Sequence, residues 1–223
     1  MEARYERNIP SLSPEEQELL AHKRVLIVGC GGLGGNIIEN LARMGVGELT
    51  VADGDVFEES NLNRQVLSAP EMLGRSKVRA AYERIRWIDP KIRVHAVDAF
   101  FSEANADELV CGQDLVIDSL DNVASRLLLE DTCAKHGVML VHGAIQGWSA
   151  QASVIKPGSG ILHRLYGSEG TYPGKTSTSF TPAFCAAIES AEAIRLLCGH
   201  ASPLEGKVLL VDLREMHFDI LDL

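Results

Sequence analysis

The sequence contains few aromatic residues, no Cys-x-x-Cys pair and no long hydrophobic run. Aromatic residues make up 5% of the 223 residues. No apolar run approaches the about 20 residues that a transmembrane helix needs, so we expect no membrane partner. The cysteines are odd in number and show no paired spacing, which argues against a disulfide framework; they are Cys30, Cys111, Cys133, Cys185 and Cys198.

Positive charge is also scarce. The chain has 21 lysines and arginines against 31 aspartates and glutamates, a formal net charge of -10. This balance disfavours nucleic acid as the main partner, although a local basic patch is compatible with it. Residues 1–4 do not begin a signal peptide, so we expect a cytoplasmic protein. With 46% hydrophobic residues the chain can bury a substantial core, and we expect one domain over residues 1–223.

A glycine-rich loop follows the first apolar run. Residues 25–28 read as a buried parallel strand, Gly29-Cys30-Gly31-Gly32-Leu33-Gly34 follows directly, and a helical pattern continues to Gly45. This order brings backbone N–H groups and a helix N-terminus close to a phosphate. We therefore expect the loop to bind a nucleotide through its glycines, Gly29, Gly31, Gly32 and Gly34. The alternative is a glycine turn with no ligand.

A carboxylate and a polar loop follow the second predicted strand. Residues 49–52 are apolar and lead to Asp53, nineteen residues after Gly34, where a dinucleotide-binding fold places an acid that binds a ribose. Because a nicotinamide-dependent enzyme has the same acid, Asp53 alone does not separate the two classes. Carboxamides and charged groups typical of a polyphosphate site come next, namely Asp55, Asn61, Asn63, Arg64, Gln65 and Lys77. The alternative is a solvated polar loop.

The combined motifs resemble the ThiF/MoeB/HesA family, bacterial relatives of the ubiquitin-activating enzymes. The matching motifs are Gly29-x-Gly31-Gly32-Leu33-Gly34, Gly45-Val46-Gly47, Asp53-x-Asp55, Ser60-Asn61-Leu62-Asn63-Arg64-Gln65, Gly74-x-x-Lys77 and Asp118-x-x-Asp121-Asn122. The resemblance runs from about residue 4 to the end of the chain. It implies an enzyme that uses ATP and magnesium to adenylate the C-terminal glycine of a small ubiquitin-like sulfur-carrier protein with a Gly-Gly tail. The sequence does not distinguish a thiamine-pathway carrier from a molybdopterin-pathway carrier.

The resemblance also implies roles for individual residues. Arg64 and Lys77 match the phosphate-contacting pair, and Asp121 matches the carboxylate that engages magnesium. The other matched polar residues are nucleotide-binding candidates: Asp53, Asp55, Asn61, Gln65 and Asn122. Asp121 has an alternative role as a helix cap.

The N-terminal segment Arg4-Tyr5-Glu6-Arg7-Asn8 is similar to one through which dimeric relatives reach the neighbouring subunit's ATP. We therefore expect a homodimer in which Arg7 acts in trans. The alternative is a frayed basic terminus.

The implied chemistry needs positioning rather than a general base. A C-terminal carboxylate has a pKa of about 3.5, so it is an anionic nucleophile at neutral pH. The difficulty lies in bringing this anion to the α-phosphorus of ATP and stabilising the phosphoryl charge. Cations, amide donors and a metal-binding carboxylate are suited to that task.

Two features of the resembling proteins are missing. Many of them hold a structural zinc on two Cys-x-x-Cys pairs, but Leu162-His163-Arg164-Leu165 occupies the place of the first pair, and the chain ends before the second. We predict no zinc, with His142 and His163 as ordinary core or surface histidines. Some relatives also bind the carrier covalently through a crossover cysteine, which residues 158–181 lack. We expect Cys185 to be a buried structural residue, and a carrier thioester at Cys185 is the alternative.

The whole chain alternates between strand and helix patterns. Helices are predicted near residues 77–87, 103–110 and 123–136, and strands near residues 92–97, 115–118 and 139–144. This order is typical of a doubly wound Rossmann-like α/β fold with a mostly parallel sheet. Added antiparallel strands are predicted at residues 151–155, 207–212 and 216–221. Residues 1–22 are predicted to form a helical arm with a capping box at Ser13, and residues 158–181 a flexible crossover.

Three other functions remain compatible with the sequence. A nicotinamide-dependent oxidoreductase accounts for the glycine loop and Asp53, but not for Arg64, Lys77 and Asp121. A non-catalytic nucleotide-binding module would keep the pocket without turnover. A tRNA-modifying ATP-dependent dehydratase of the same superfamily is the third alternative, although the acidic charge is unfavourable for a large RNA partner.

Overall fold

The computed structural model describes residues 2–167 and 176–223. One sheet runs through the molecule in the order β3-β2-β1-β4-β5-β6-β7-β8. Its strands are β1 (Arg24–Val28), β2 (Glu48–Ala52), β3 (Arg93–Val97), β4 (Leu115–Asp118), β5 (Leu140–Gln146), β6 (Ser149–Ile155), β7 (Lys207–Asp212) and β8 (His217–Asp222). The first five strands are parallel, and the last three are added antiparallel. The predicted α/β fold with an antiparallel extension is confirmed.

Helices cover both faces of this sheet. They are α1 (Pro14–Leu20), α2 (Gly32–Met44), α3 (Lys77–Ile88), α4 (Ala106–Val110), α5 (Val123–His136), α6 (Ile161–Tyr166) and α7 (Phe180–Leu197). Buried residues of α2, α3 and α7 form one core with one face of the sheet. Buried residues of α4, α5 and α6 form a second core with the other face. The central strands are therefore buried on both sides, which explains why β1 reads as a continuous apolar run.

The N-terminal arm is tied to the body of the protein. Ser13 and Glu16 form the predicted capping box, with the Glu16 N–H donating to Oγ of Ser13 at 3.1 Å. Before this helix, a 3-10 turn covers Ala3–Asn8. The hydroxyl of Tyr5 donates to a carboxylate oxygen of Asp89 at 2.6 Å, and Arg4 forms an ion pair with the same carboxylate at 3.1 Å.

The segment predicted as a flexible crossover, residues 158–181, contains a helix that the sequence pattern did not predict. The carboxylate of Glu130 on α5 accepts hydrogen bonds from the N–H groups of Leu162 and His163 at 3.1 and 3.2 Å, which fixes the first turn of α6. At the other end of the segment, α7 begins at Phe180. Residues 168–175, including Tyr172 and Lys175, lie outside the described part of the chain.

No helix among the described residues is long and apolar enough to cross a membrane.

Candidate functional site

A cleft of about 1160 Å³ opens where the carboxyl ends of β1, β2 and β4 meet. Parallel α/β sheets place their ligands at this edge, next to the reversal in strand order. Most of the predicted site residues line the cleft: Gly29, Gly31, Gly32, Asp53, Asp55, Arg64, Gln65, Lys77, Asp121 and Asn122. Three predicted residues do not line it within the described chain, namely Gly34, Asn61 and Arg7.

The glycine loop leaves no room for a side chain at two of its positions. Gly29 has a φ of +100°, and a Cβ atom there would lie 2.6 Å from the carbonyl oxygen of Ser119. A Cβ atom on Gly34 would lie 1.8 Å from the carbonyl oxygen of Gly29. The absence of a side chain at Gly34 therefore allows α2 to pack against the loop. Gly31 and Gly32 are the glycines between them that line the cleft.

Asp53 ties the glycine loop to the end of β2. One carboxylate oxygen accepts the N–H of Cys30 at 2.7 Å, and the other accepts the N–H of Asp55 at 2.8 Å. Burial raises the pKa of Asp53, and these hydrogen bonds together with the Lys77 charge oppose that rise. Each carboxylate oxygen has two lone pairs, so Asp53 can still accept a ribose hydroxyl from the cleft.

Lys77 supplies a buried cation at the floor of the cleft. It is the first residue of α3 and is 6% exposed, and its Nζ lies 3.0 Å from a carboxylate oxygen of Asp55. Asp55 is exposed, so this ion pair opens onto solvent at one side. An anionic ligand entering the cleft would meet an ammonium group that is already fixed in place.

The polar loop after β2 holds Arg64 and Gln65 beside the glycine loop. Nη1 of Arg64 donates to the Ser60 carbonyl at 2.7 Å and to Oδ1 of Asn63 at 2.8 Å, which orients the guanidinium. Gln65 is 6% exposed, and its Oε1 has no hydrogen-bond partner among the described residues. Because this oxygen is itself covered, the Gln65 amide would have to turn toward the cleft to accept a hydrogen bond from a ligand.

Asn61, a predicted nucleotide-binding residue, lies instead inside the turn that precedes Arg64. Its Oδ1 accepts the N–H of Glu58 at 3.1 Å, and its side chain is 7% exposed. The structure therefore gives Asn61 a contact that shapes the polar loop.

Asp121 and Asn122 follow the end of β4 at the cleft. Oδ1 of Asn122 accepts the N–H of Ser125 at 2.9 Å, so Asn122 is the residue that caps α5. The capping role considered for Asp121 therefore belongs to its neighbour. Asp121 is exposed and lines the cleft. Across residues 2–167 and 176–223, no group of three or more His, Cys, Asp or Glu side chains converges as a metal site.

Arg7 is not brought to the cleft of its own chain. It is exposed in the 3-10 turn of the N-terminal arm. Tyr5 of this arm packs at the C-terminal end of α2, where a Cβ atom on Gly45 would lie 2.8 Å from its ring. The glycine loop is at the other end of this 13-residue helix, about 20 Å away at about 1.5 Å per residue.

A buried polar network behind the cleft was missed by the sequence analysis. Asp118, His142 and Tyr166 form a hydrogen-bonded row, with 2.7 Å between Oδ2 of Asp118 and Nδ1 of His142 and 2.9 Å between Nε2 of His142 and the Tyr166 hydroxyl. Arg126 and Gln151 bind the same hydroxyl and line the cleft. Burial alone would raise the pKa of Asp118, but the Arg126 charge and the His142 hydrogen bond lower it below its ordinary value. Burial lowers the pKa of His142.

The prediction that Cys185 is buried is confirmed. Its side chain is 0% exposed on α7, and its thiol contacts the Gln151 carbonyl at 3.4 Å. Burial raises the pKa of this thiol well above its ordinary value. A thiol in this state is a poor nucleophile.

Known proteins match this chain over nearly its whole length. The sequence is 38% identical over 225 residues to the SAMP-activating enzyme E1 of Haloferax volcanii, covering 97% of this chain and 83% of that protein. It is 35% identical over 209 residues to the molybdopterin-synthase adenylyltransferase of Escherichia coli, covering 91% and 84%. It is 34% identical over 229 residues to the sulfur carrier protein adenylyltransferase of Thermus thermophilus, covering 96% and 84%.

Solved structures share the fold. MccB of E. coli, solved with ATP, superposes with a TM-score of 0.83 at 21% identity, covering 100% of this chain and 72% of that one. The E. coli tRNA N6-threonylcarbamoyladenosine dehydratase TcdA superposes with a TM-score of 0.74 at 25% identity, covering 87% of this chain and 93% of that one. Residues 5–223 match the sequence pattern of the ThiF family, which confirms the resemblance found in the motifs. The chain belongs to the ThiF family.

Proposed function

We propose that this protein is an ATP-dependent adenylyltransferase for a small ubiquitin-like sulfur-carrier protein. It joins the C-terminal Gly-Gly carboxylate of the carrier to the AMP moiety of ATP and releases pyrophosphate. The observation that carries this proposal is the convergence of the glycine loop, Arg64 and Lys77 on one cleft. The relatives named as adenylyltransferases support the same enzyme class, a nucleotidyltransferase.

The cleft residues fit ATP in charge and hydrogen bonding. Asp53 receives the ribose, while Lys77 and Arg64 hold the phosphates and neutralise charge that develops on the phosphoryl oxygens. Gln65 lines the same cleft, with its amide beside Gly31 of the glycine loop. No side chain of this set has to act as a general base, because the attacking carboxylate is already ionised.

Asp121 is the residue that would hold magnesium. Mg²⁺ binds proteins through one or two carboxylates, together with waters and substrate phosphates, and an exposed carboxylate on the cleft wall fits that pattern. When bound, the ion would neutralise phosphate charge. By holding the ion, Asp121 would fix where the phosphates lie relative to Arg64 and Lys77.

The extent of the cleft supports a partner with an extended tail. The cleft continues past the nucleotide end along the antiparallel strands, where Leu210, Asp212 and His217 line it. Its volume of about 1160 Å³ exceeds the about 300–1,000 Å³ typical of small-molecule pockets. An extended Gly-Gly tail lying over β6 and β7 would reach the phosphates from this side.

A homodimer is part of the proposal. Tyr5, two residues before Arg7, packs at the end of α2 that lies about 20 Å from the glycine loop of the same chain. Arg7 would therefore act in the cleft of a second copy.

A tRNA-modifying dehydratase is the second candidate, favoured by the fold match that covers 93% of TcdA. The enzyme would then activate a carboxylate on RNA. The formal net charge of -10 is unfavourable for that partner. Incubation with ATP, magnesium and either a ThiS/MoaD-type carrier or tRNA, followed by mass analysis of each, separates the two functions. An AMP adduct on the carrier supports the proposal. No adduct on any carrier, with ATP binding intact, favours the tRNA enzyme or a non-catalytic module.

A further inference from the structure

A buried tyrosine behind the cleft is hydrogen-bonded to two residues of the cleft wall. Tyr166 is the last residue of α6 and is 6% exposed. Its hydroxyl accepts hydrogen bonds from Nη1 of Arg126 at 2.7 Å and from Nε2 of Gln151 at 2.6 Å. Both donors line the cleft, whereas Tyr166 is not among the lining residues of the described chain.

A further contact of this hydroxyl reaches His142. The Asp118 carboxylate can only accept a hydrogen bond, so in a neutral His142 the proton sits on Nδ1 and Nε2 is an acceptor. The Tyr166 hydroxyl, 2.9 Å away, donates to this Nε2, and Nε2 of Gln151 approaches the same atom at 3.2 Å. This assigns His142 as the neutral tautomer whose Nδ1–H donates to Asp118 at 2.7 Å.

The other ends of the network hold the peptide groups on both sides of Leu120. The Leu120 N–H donates to Oδ1 of Asp118 at 2.9 Å. The Leu120 carbonyl accepts from Nη2 of Arg126. Asp121 is the next residue, so its main chain begins at a peptide that Asp118 and Arg126 hold.

We propose that Tyr166 is a positioning residue that fixes the Leu120 peptide through Arg126 and His142 and thereby sets the place of Asp121 in the cleft. This inference rests on the adenylation proposed above, in which Asp121 acts at the phosphates. Tyr166 touches no reacting atom. Its hydroxyl contacts Arg126 on α5, His142 on β5 and Gln151 on β6. Through His142 it is also connected to Asp118 at the end of β4.

Tyr166→Phe tests this role because it removes only the hydroxyl and keeps the ring against His142, where the ring centroids are 5.7 Å apart. Without the hydroxyl, Arg126 loses an acceptor, and His142 keeps only the longer contact with Nε2 of Gln151 at 3.2 Å. We expect amide hydrogen exchange of residues 119–122 to become at least about fivefold faster, while exchange in α3 stays unchanged. We also expect the rate constant for adenylate formation to fall about tenfold, with the affinity for ATP changed less than about twofold.

Tyr82→Phe is the matched control, because Tyr82 is 43% exposed on α3. It should leave both exchange and rate unchanged. Arg126→Lys keeps the charge but loses the planar donor fork, and it should loosen residues 119–122 in the same way. If Tyr166→Phe does not fold, Gln151→Leu decides, because it removes a contact of the same hydroxyl and leaves the Arg126 contact with the Leu120 carbonyl in place; it should also speed exchange of residues 119–122.

Unchanged exchange of residues 119–122 in the folded variants would overturn the inference. Faster exchange spread evenly over the protein would also overturn it, because it would mean a general loss of stability. Failure of the proposed function has a different signature. In that case the wild-type protein forms no adenylate with any carrier, while the exchange comparison still reports whether Tyr166 holds the loop.

Discussion

Replacement of Glu189 by glutamine should stabilise the folded protein, and the gain should grow as the pH rises. Glu189 lies on α7 with 0% exposure, and neither carboxylate oxygen accepts a hydrogen bond from a nitrogen or oxygen donor among the described residues; the thiol of Cys185, a weak donor, lies beside it. It packs against the β5 backbone so closely that a Cβ atom on Gly143 would lie 2.2 Å from its carboxyl carbon. Burial raises the pKa of Glu189 well above its ordinary value, and the nearby Asp118 charge adds to this while Arg126 opposes it.

The sign of the pH dependence follows from this raised pKa. At a pH between the ordinary glutamate value and the folded value, the folded state holds a proton that the unfolded state has released. The free energy of unfolding therefore falls as the pH rises through that window, at up to about 1.4 kcal/mol per pH unit for one proton. Glutamine has no proton to lose, so the variant escapes this loss. The difference in stability between variant and wild type should increase by about 1 kcal/mol from pH 5 to pH 6.

Urea unfolding at pH 5, 6 and 7 measures this difference. Glu103→Gln provides the matched control, because it makes the same chemical change at an exposed side chain. The control should leave the stability unchanged within about 0.5 kcal/mol at each pH. A Glu189→Gln variant whose stability relative to wild type does not change with pH would refute the assignment of a neutral Glu189. A variant less stable than wild type at pH 7 would refute it as well.

Three further substitutions test the cleft. Lys77→Met removes the cation at its floor, and ATP affinity measured by equilibrium binding should weaken roughly 10- to 150-fold; an affinity within threefold of wild type would contradict a phosphate contact. Gly34→Ala places a methyl group 1.8 Å from the Gly29 carbonyl oxygen, so thermal unfolding should show a loss of about 1–3 kcal/mol or more, whereas full stability would mean that α2 does not approach the loop so closely. Arg7→Ala should slow adenylation about tenfold and leave the oligomeric mass unchanged, and wild-type turnover would exclude action in trans.

The secondary-structure elements that could be predicted from the sequence are those marked by residues close together in the chain. The apolar run of β1, the glycine turn after it and Gly45 at the end of α2 are all local signals, and the structure confirms them. The place of Asp53 in the cleft was predictable, because Asp53 directly follows β2 and ligands bind at the carboxyl ends of parallel strands. The helix α6 was not predicted, because its first turn depends on Glu130, which is 32 residues before Leu162 in the chain.

The same distinction applies to the site. The residues carried by motifs lie together at the cleft, since they sit at strand ends and on the loops that follow. The polar network behind the cleft was missed, because Asp118 and His142 come from neighbouring strands and are 24 residues apart. No periodic pattern within one element indicates such a pair. Asn61 shows the opposite case, in which a motif residue closes a turn and does not line the cleft.

The mass of a carrier protein after incubation with this enzyme, ATP and magnesium tests the central claim most directly. A ThiS/MoaD-type carrier that ends in Gly-Gly should gain the mass of one AMP moiety, and a carrier with its last glycine removed should not. The thiamine-pathway and molybdopterin-pathway carriers are tested separately, so the result also identifies which of them is the partner. A folded, ATP-binding enzyme that leaves every carrier at its original mass would contradict the claim.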